Sequence, residues 1–505
     1  MTNQMGNRSF TISALLIGMS LTASAHIGSP DVYLDGKAGP YQLFVTIRPP
    51  AVIPGVAEIQ VRCETAGVQT IGAVPLPMAG PGAKFAPMAD KLNVSKQDSQ
   101  FFTGSLWMMA PGSWEVKLTV NGQHGQGVLS VPFPSAAFST KKMQTGLGVL
   151  LALLGSFLVL GMVAIAGASV REARLPAGVP ADEGHKRSGR LAMGVTLAVI
   201  LLTVWFGARW WGSADTSYKG ELYKPLQMAP QVDGGVLTLT LHDPGWLNSR
   251  NWAAFPVARS VDDLIPDHEH LMHLYLIHQP GLDVVYHLHP ELVQGGQFRL
   301  SLPNMQAGDY KLYADIVHQN GFPETLTARL HLPALQGRAL SGDDAAGTAP
   351  DWNQTPVPST RFILPDAYRM EWIGDNAPVR ARTPEQFRFR LIDAQGRPPD
   401  DMALYMGMLG HAAFVKTDGT VFAHIHPTGS VSMAAFMKAQ SPMKGADSSV
   451  TDMDMPGMTH TPANERLPNE VSFPYGLPTP GRYRIFVQMK HGNTIETGVF
   501  DTLAN

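Results

Sequence analysis

Two uncharged apolar stretches divide this chain more firmly than any other feature. Gly146 to Val170 runs 25 residues and Leu191 to Ala208 runs 18 without a charged side chain. At 1.5 Å of rise per residue, about 20 such residues match the core of a bilayer. We therefore expect transmembrane helices over 146–170 and 191–211, the second closed by Arg209, Trp210 and Trp211 at an interface. The segment 171–190 between them carries Arg171, Arg174, Lys186, Arg187 and Arg190. A short basic loop of this kind stays cytoplasmic, which puts the portions before and after it on the opposite side. Residues 1–25 read as a signal peptide: Arg8, an apolar run from Phe10 to Leu21, and Ala23-Ser24-Ala25 as the cleavage site. The mature chain then begins at His26. The expected location is the bacterial inner membrane, with both soluble portions in the periplasm and lipid as one partner.

The soluble portions read as β-structure. Tyr41 to Ile47 and Trp114 to Val120 alternate as strands do, and no amphipathic helix stands out in 26–140. The expected fold is mainly β: three immunoglobulin-like or cupredoxin-like β-sandwich domains plus the two helices. They cover 26–140, 226–335 and 361–505, with a Gly-, Ala-, Pro- and Asp-rich linker at 336–360.

The last two domains are copies of one unit. Met272-His273 and Tyr286-His287-Leu288-His289-Pro290 answer Gly410-His411 and Ala423-His424-Ile425-His426-Pro427. Gly308-Asp309-Tyr310 answers Gly481-Arg482-Tyr483, and eight residues after each Tyr stands a histidine, His318 and His491. Glu324-Thr325 answers Glu496-Thr497. The second copy alone carries a Met-rich insertion at 431–470, expected as a mobile loop, with Met453, Met455, Met458 and His460 near its end.

The composition narrows the chemistry. One cysteine in 505 residues excludes a disulfide framework and a thiolate-rich zinc site. A net charge of −3 gives no basis for binding nucleic acid. What remains are 17 His and 24 Met, the imidazole and thioether ligands. Residues i and i+2 of a strand face the same way, so each H-x-H pair can meet one ion. We expect one metal on His273, His287, His289 and His318 and another on His411, His424, His426 and His491. His268 and His270 are additional candidates in the first copy. Imidazole affinity favours copper, with zinc as the alternative. Met453, Met455, Met458 and His460 suit transient Cu(I). His26 offers an amine and a ring nitrogen on one residue, with His124 as a second ligand. Asp283, Asp418, Glu324 and Glu496 are candidates for holding the ligand rings by hydrogen bonds. No nucleophile elbow, phosphate loop, H-E-x-x-H or dinucleotide fingerprint is present.

The stretch His26-Ile27-Gly28-Ser29-Pro30 with Gly39-Pro40-Tyr41 to Pro50, and Ala110-Pro111-Gly112-Ser113-Trp114, resembles the YtkA-like/FixH-like domain of exported bacterial proteins over 26–134. That resemblance implies an immunoglobulin-like sandwich. A mature amino-terminal His is similar to that of CopC-type copper carriers and copper monooxygenases, which implies a ligand role for His26. The tandem H-x-H-P units look like periplasmic domains found beside heavy-metal genes. The function expected from all this is copper binding for tolerance, storage or delivery to a membrane cuproenzyme or copper-handling partner. Two alternatives stand beside it: a metal-free interaction subunit of a membrane complex, and a copper oxidoreductase acting through His26.

Overall fold

The computed structural model describes residues 31–79, 86–176, 178–246, 259–374, 378–440 and 466–505. The segment expected as a signal peptide, His26, and Met453, Met455, Met458 and His460 lie outside the described residues.

The amino-terminal part contains β1 (Val32–Ala38), β2 (Tyr41–Arg48), β3 (Gly55–Cys63), β4 (Val68–Pro77), β5 (Asp90–Lys91), β6 (Asn93–Val94), β7 (Phe101–Met108), β8 (Gly112–Gly122) and β9 (Gly125–Ser135). They form two antiparallel sheets, β1-β2-β3-β7-β6 and β5-β4-β8-β9, around one apolar core. Alternation drives the pairing: in β3, Ala57, Ile59, Val61 and Cys63 are buried while Val56, Glu58 and Arg62 face out.

Helices α1 (Thr145–Glu172) and α2 (Glu183–Gly220) follow. Both are long and apolar enough to cross a membrane. The second is longer than the expected 191–211, because the charged turns at each end continue the same helix. The pair touches where side chains are smallest; a Cβ on Gly167 would collide with Met193, and one on Gly189 would lie 3.0 Å from the Gly167 carbonyl.

The two repeats then share one plan. The first holds β10 (Gln227–Asp233), β11 (Val236–His242), β12 (Leu264–Ile265), β13 (His273–Gln279), β14 (Val284–Leu288), β15 (Glu291–Gln294), β16 (Gln297–Ser301), β17 (Gly308–His318), β18 (Pro323–Leu332) and β19 (Ala345–Thr348). The second holds β20 (Arg361–Ile363), β21 (Arg369–Ile373), β22 (Glu385–Ile392), β23 (Met402–Ala403), β24 (His411–Lys416), β25 (Phe422–Ile425), α3 (Met433–Gln440), β26 (Glu470–Tyr475), β27 (Gly481–His491) and β28 (Thr494–Ala504). In each, the histidine-bearing sheet has the same order, β12-β17-β13-β14 in one and β23-β27-β24-β25 in the other. The β10–β11 hairpin turns on Gly234 and Gly235, both at positive φ, as a two-residue hairpin turn demands.

Two expectations change here. The segment 336–360 is not a plain linker: β19 pairs with β14 and extends the first histidine sheet. The insertion begins not as a loop but as α3, which buries Met433 and Phe436 in the amino-terminal core.

The histidine sheets of the two repeats face each other. Tyr275, Ile277, Val285 and Tyr313 of the first pack against Ala413, Val415, Phe422 and Phe486 of the second. Buried Arg484 bonds Asp501 in its own repeat and the carbonyls of Leu282 and Pro350 in the other. The amino-terminal part packs on the second repeat. Asp35 N–H donates to the Thr428 carbonyl and Ser430 N–H to that of Tyr33. The backbones come so close that Gly429, at φ +124°, has no room for a Cβ against the Tyr33 carbonyl.

Candidate metal centre

The facing sheets bring the imidazoles of both repeats to one place. Within the first, ring centroids of His273, His287 and His289 lie 5.5, 5.0 and 4.7 Å apart. In the second, His411, His424 and His426 lie 5.4, 5.1 and 4.7 Å apart. The near-identical triangles follow from the shared register of the strands. The triangles also touch: His424 is 5.4 Å from both His273 and His287. The two sets expected to be separate therefore form one cluster.

His268 and His270 complete it. They sit on the turn joining β12 to β13, where His268 and Glu269 both adopt positive φ. His270 stacks on His289 at 3.9 Å. His268 crosses to the other repeat, 5.2 Å from His411 and 4.9 Å from His426. Two groups of three have ligand atoms close enough to share an ion: His273, His287 and His289, and His268, His411 and His426. The equivalent turn of the second repeat reads Tyr405-Met406-Gly407-Met408, with the same bridge between its ends. A thioether stands there in the place of His268.

The rings are deeply buried and partly unsatisfied. His287 and His411 are 0% exposed. Six ring nitrogens on five residues are buried without a hydrogen-bond partner among the described residues: His268 Nε2, His289 Nε2, both of His411, His424 Nε2 and His426 Nε2. Leaving such groups unpaired costs about 1–3 kcal/mol each. Burial first, and then the neighbouring imidazoles, push the pKa of His273, His287, His411 and His426 well below the usual histidine value. These rings are neutral at pH 7, the protonation state a metal ligand needs. A cavity of about 590 Å³ between the domains reaches His270, His273, His424 and His426 from outside.

The groups that orient the rings differ from those expected. Asp344 accepts from His289 at 3.2 Å and Asp343 bonds His270 at 3.2 Å. His287 Nδ1 meets Gln488 Oε1 at 2.8 Å and the Tyr405 hydroxyl at 3.2 Å. Asp315 lies 3.4 Å from His424 Nδ1. Asp315 and Gln488 are equivalent residues, paired with His273 and His411 respectively. Each reaches across to the H-x-H strand of the other repeat. Asp283 instead bonds His278, and Asp418 bonds Thr420 in a turn. Asp343 and Asp344 were concealed by the linker-like composition around them.

His318 and His491 do not join the cluster. Each stands three residues beyond Asp315 or Gln488, an odd step that turns it to the other face of its strand. His318 bonds Asp263 at 2.6 Å and Glu324 at 3.1 Å. Burial, the largest single influence, works against protonation of His318, but the two carboxylates outweigh it and raise its pKa to about 8. His491 has Asp366, Asp401 and Glu496 around it. Burial and then Asp366 raise the Glu496 pKa to about 7. His124 is exposed on the β8–β9 turn beside Tyr41. Cys63 lies in the amino-terminal core, its thiol pushed up to about 11 by burial.

Fold and site define a mainly β protein with two helices apolar enough to cross a membrane and a buried cluster of eight imidazoles shared by two repeats. A family model described as Domain of unknown function (DUF8832) matches residues 230–332 and 364–505, the two repeats. No curated protein matches the chain significantly. Among solved structures, a tetra-tandem repeat from a large adhesion protein is similar at 9% identity and a TM-score of 0.15, over 90% of this chain and 71% of that one. Salmonella alpha-2-macroglobulin reacted with methylamine is similar at 9% identity and a TM-score of 0.19, over 94% of this chain and 24% of that one. The native E. coli alpha-2-macroglobulin gives 8% identity and 0.20, over 95% and 23%. Scores at this level do not define a shared fold.

Proposed function

We propose that this chain is a membrane-anchored copper-binding protein that holds copper outside the cytoplasm for tolerance, storage or delivery to a cuproenzyme. The observation that carries this reading is the set of six partnerless ring nitrogens buried among eight converging imidazoles. Metal coordination would satisfy them together and offset their desolvation. All-imidazole sets without thiolate suit copper and zinc, and the affinity series favours copper. Supporting the location are the signal-like segment 1–25 and the basic segment 171–190. The contacts between β1 and the second repeat further support placing both soluble portions on one side of the bilayer. The immunoglobulin-like or cupredoxin-like class of the domains belongs to the same proposal.

The test is the metal content of the full chain, purified in detergent from cultures supplemented with copper and zinc. One copper for each of the two three-imidazole groups is the expected result. The variant with His287, His289, His424 and His426 all changed to Ala is expected to lose it. Zinc in place of copper would replace copper handling with a zinc role. A metal-free wild-type chain would sink the reading.

A further inference from the structure

His318 and His491 stand at equivalent positions in the two repeats. Asp263 precedes β12, whose Leu264 pairs with His318; Asp401 precedes β23, whose Met402 pairs with His491. Glu324 and Glu496 occupy the same register, opposite Ile316 and Met489, each two residues before the histidine. Each repeat thus has an aspartate on Nδ1 of the ring and a glutamate beside Nε2.

What faces the glutamate differs. In the first repeat the Arg259 guanidinium bonds Glu324 directly, supported by Asp243 and stacked over Tyr223 and Trp246. In the second repeat no cation holds that place among the described residues. A third carboxylate is there instead: Asp366 Oδ2 lies 3.5 Å from His491 Nε2, and Glu496 Oε1 lies 3.5 Å from the same atom. That nitrogen is buried and has no hydrogen-bond partner among the described residues. The His491 residue is 8% exposed, and its ring is fixed by Tyr368, stacked at 4.2 Å. The other oxygen of Asp366 accepts from the Tyr368 N–H, which leaves Oδ2 turned to the ring.

We infer that Asp366, Glu496 and His491 Nε2 form a binding site for one divalent cation of the zinc class, separate from the imidazole cluster. Asp401 on Nδ1 completes the carboxylate–histidine–metal arrangement that fixes such a ligand ring. One imidazole and two carboxylates suit Zn(II), with a position left for water. Two hard carboxylate oxygens beside one imidazole favour Zn(II) over the soft Cu(I) ion. The cation does in the second repeat what Arg259 does in the first, neutralising the glutamate beside the histidine ring. It also ties the β20–β21 turn to the β27–β28 hairpin.

The experiment uses the full chain in detergent, stripped by chelation and then equilibrated with zinc or with copper in parallel. Wild type is compared with D366N/E496Q and with D366R, which reproduces the cationic side chain of the first repeat. Both variants are expected to take up one zinc fewer per chain than wild type, with copper uptake unchanged. Metal-free D366R is also expected to melt above metal-free wild type. Equal zinc uptake by wild type and both variants would overturn the site. Copper is read separately, so a chain that binds this zinc but no copper would sink only the copper reading.

Discussion

Asp315 and Gln488 stand at equivalent positions and do equivalent work with different chemistry. Each reaches from its own repeat to a ring of the other, and each is steadied by the equivalent threonine: Thr325 at 2.5 Å on Asp315, Thr497 at 3.4 Å on Gln488. Gln488→Leu should weaken metal binding at the His287 side about 10- to 100-fold, the usual effect of removing a group that orients a ligand ring. Competition against a chelator of known affinity checks this. His318 is held by two carboxylates, Asp263 and Glu324. Its folded pKa, about 8, lies above the ordinary 6.5, so its contribution is full below 6.5 and is lost as pH rises through 8. That contribution is about 2 kcal/mol. Denaturant midpoints of wild type and His318→Gln should therefore converge as pH rises across this window. A constant gap would show that the ring acts by packing alone.

At the scale of elements, strand register decides which histidines meet. The H-x-H pairs were legible because alternate residues share a face. His287 and His289, and likewise His424 and His426, do point together. The same rule, counted three residues from Asp315, excludes His318, but only once the pairing of β13 with β17 is known. Register between distant strands is a non-local property, and no local pattern around His318 reveals it. The union of two sites into one was also hidden, because it depends on sheet facing sheet across the repeat boundary. The two apolar spans were legible from length and charge, but the charged turns that lengthen α2 at both ends were not. Their contact should be sensitive to size: Gly167→Leu is expected to drive α1 and α2 apart at Met193 and Gly189. Cross-linking between engineered cysteines on the two helices in membranes would fall.

At the scale of the molecule, the three β parts pack against one another. Arg484 and Asp501 form a buried pair at the junction of the repeats, 0% and 1% exposed. Arg484→Met strands the Asp501 carboxylate and should cost about 3–5 kcal/mol. A single lowered unfolding transition would reveal coupling of the repeats, and two separated transitions would refute it. The other junction joins β1 to the second repeat. Tyr33 is buried in the core built by β22, β26 and β27, with its ring 5.7 Å from Tyr475. Synthesis runs from the amino terminus, so the domain that carries Tyr33 emerges before the walls of its pocket are made. It must wait, with that ring uncovered, until β26 and β27 emerge. Nascent chains stalled before β26 should accordingly need a holding chaperone that the finished protein does without.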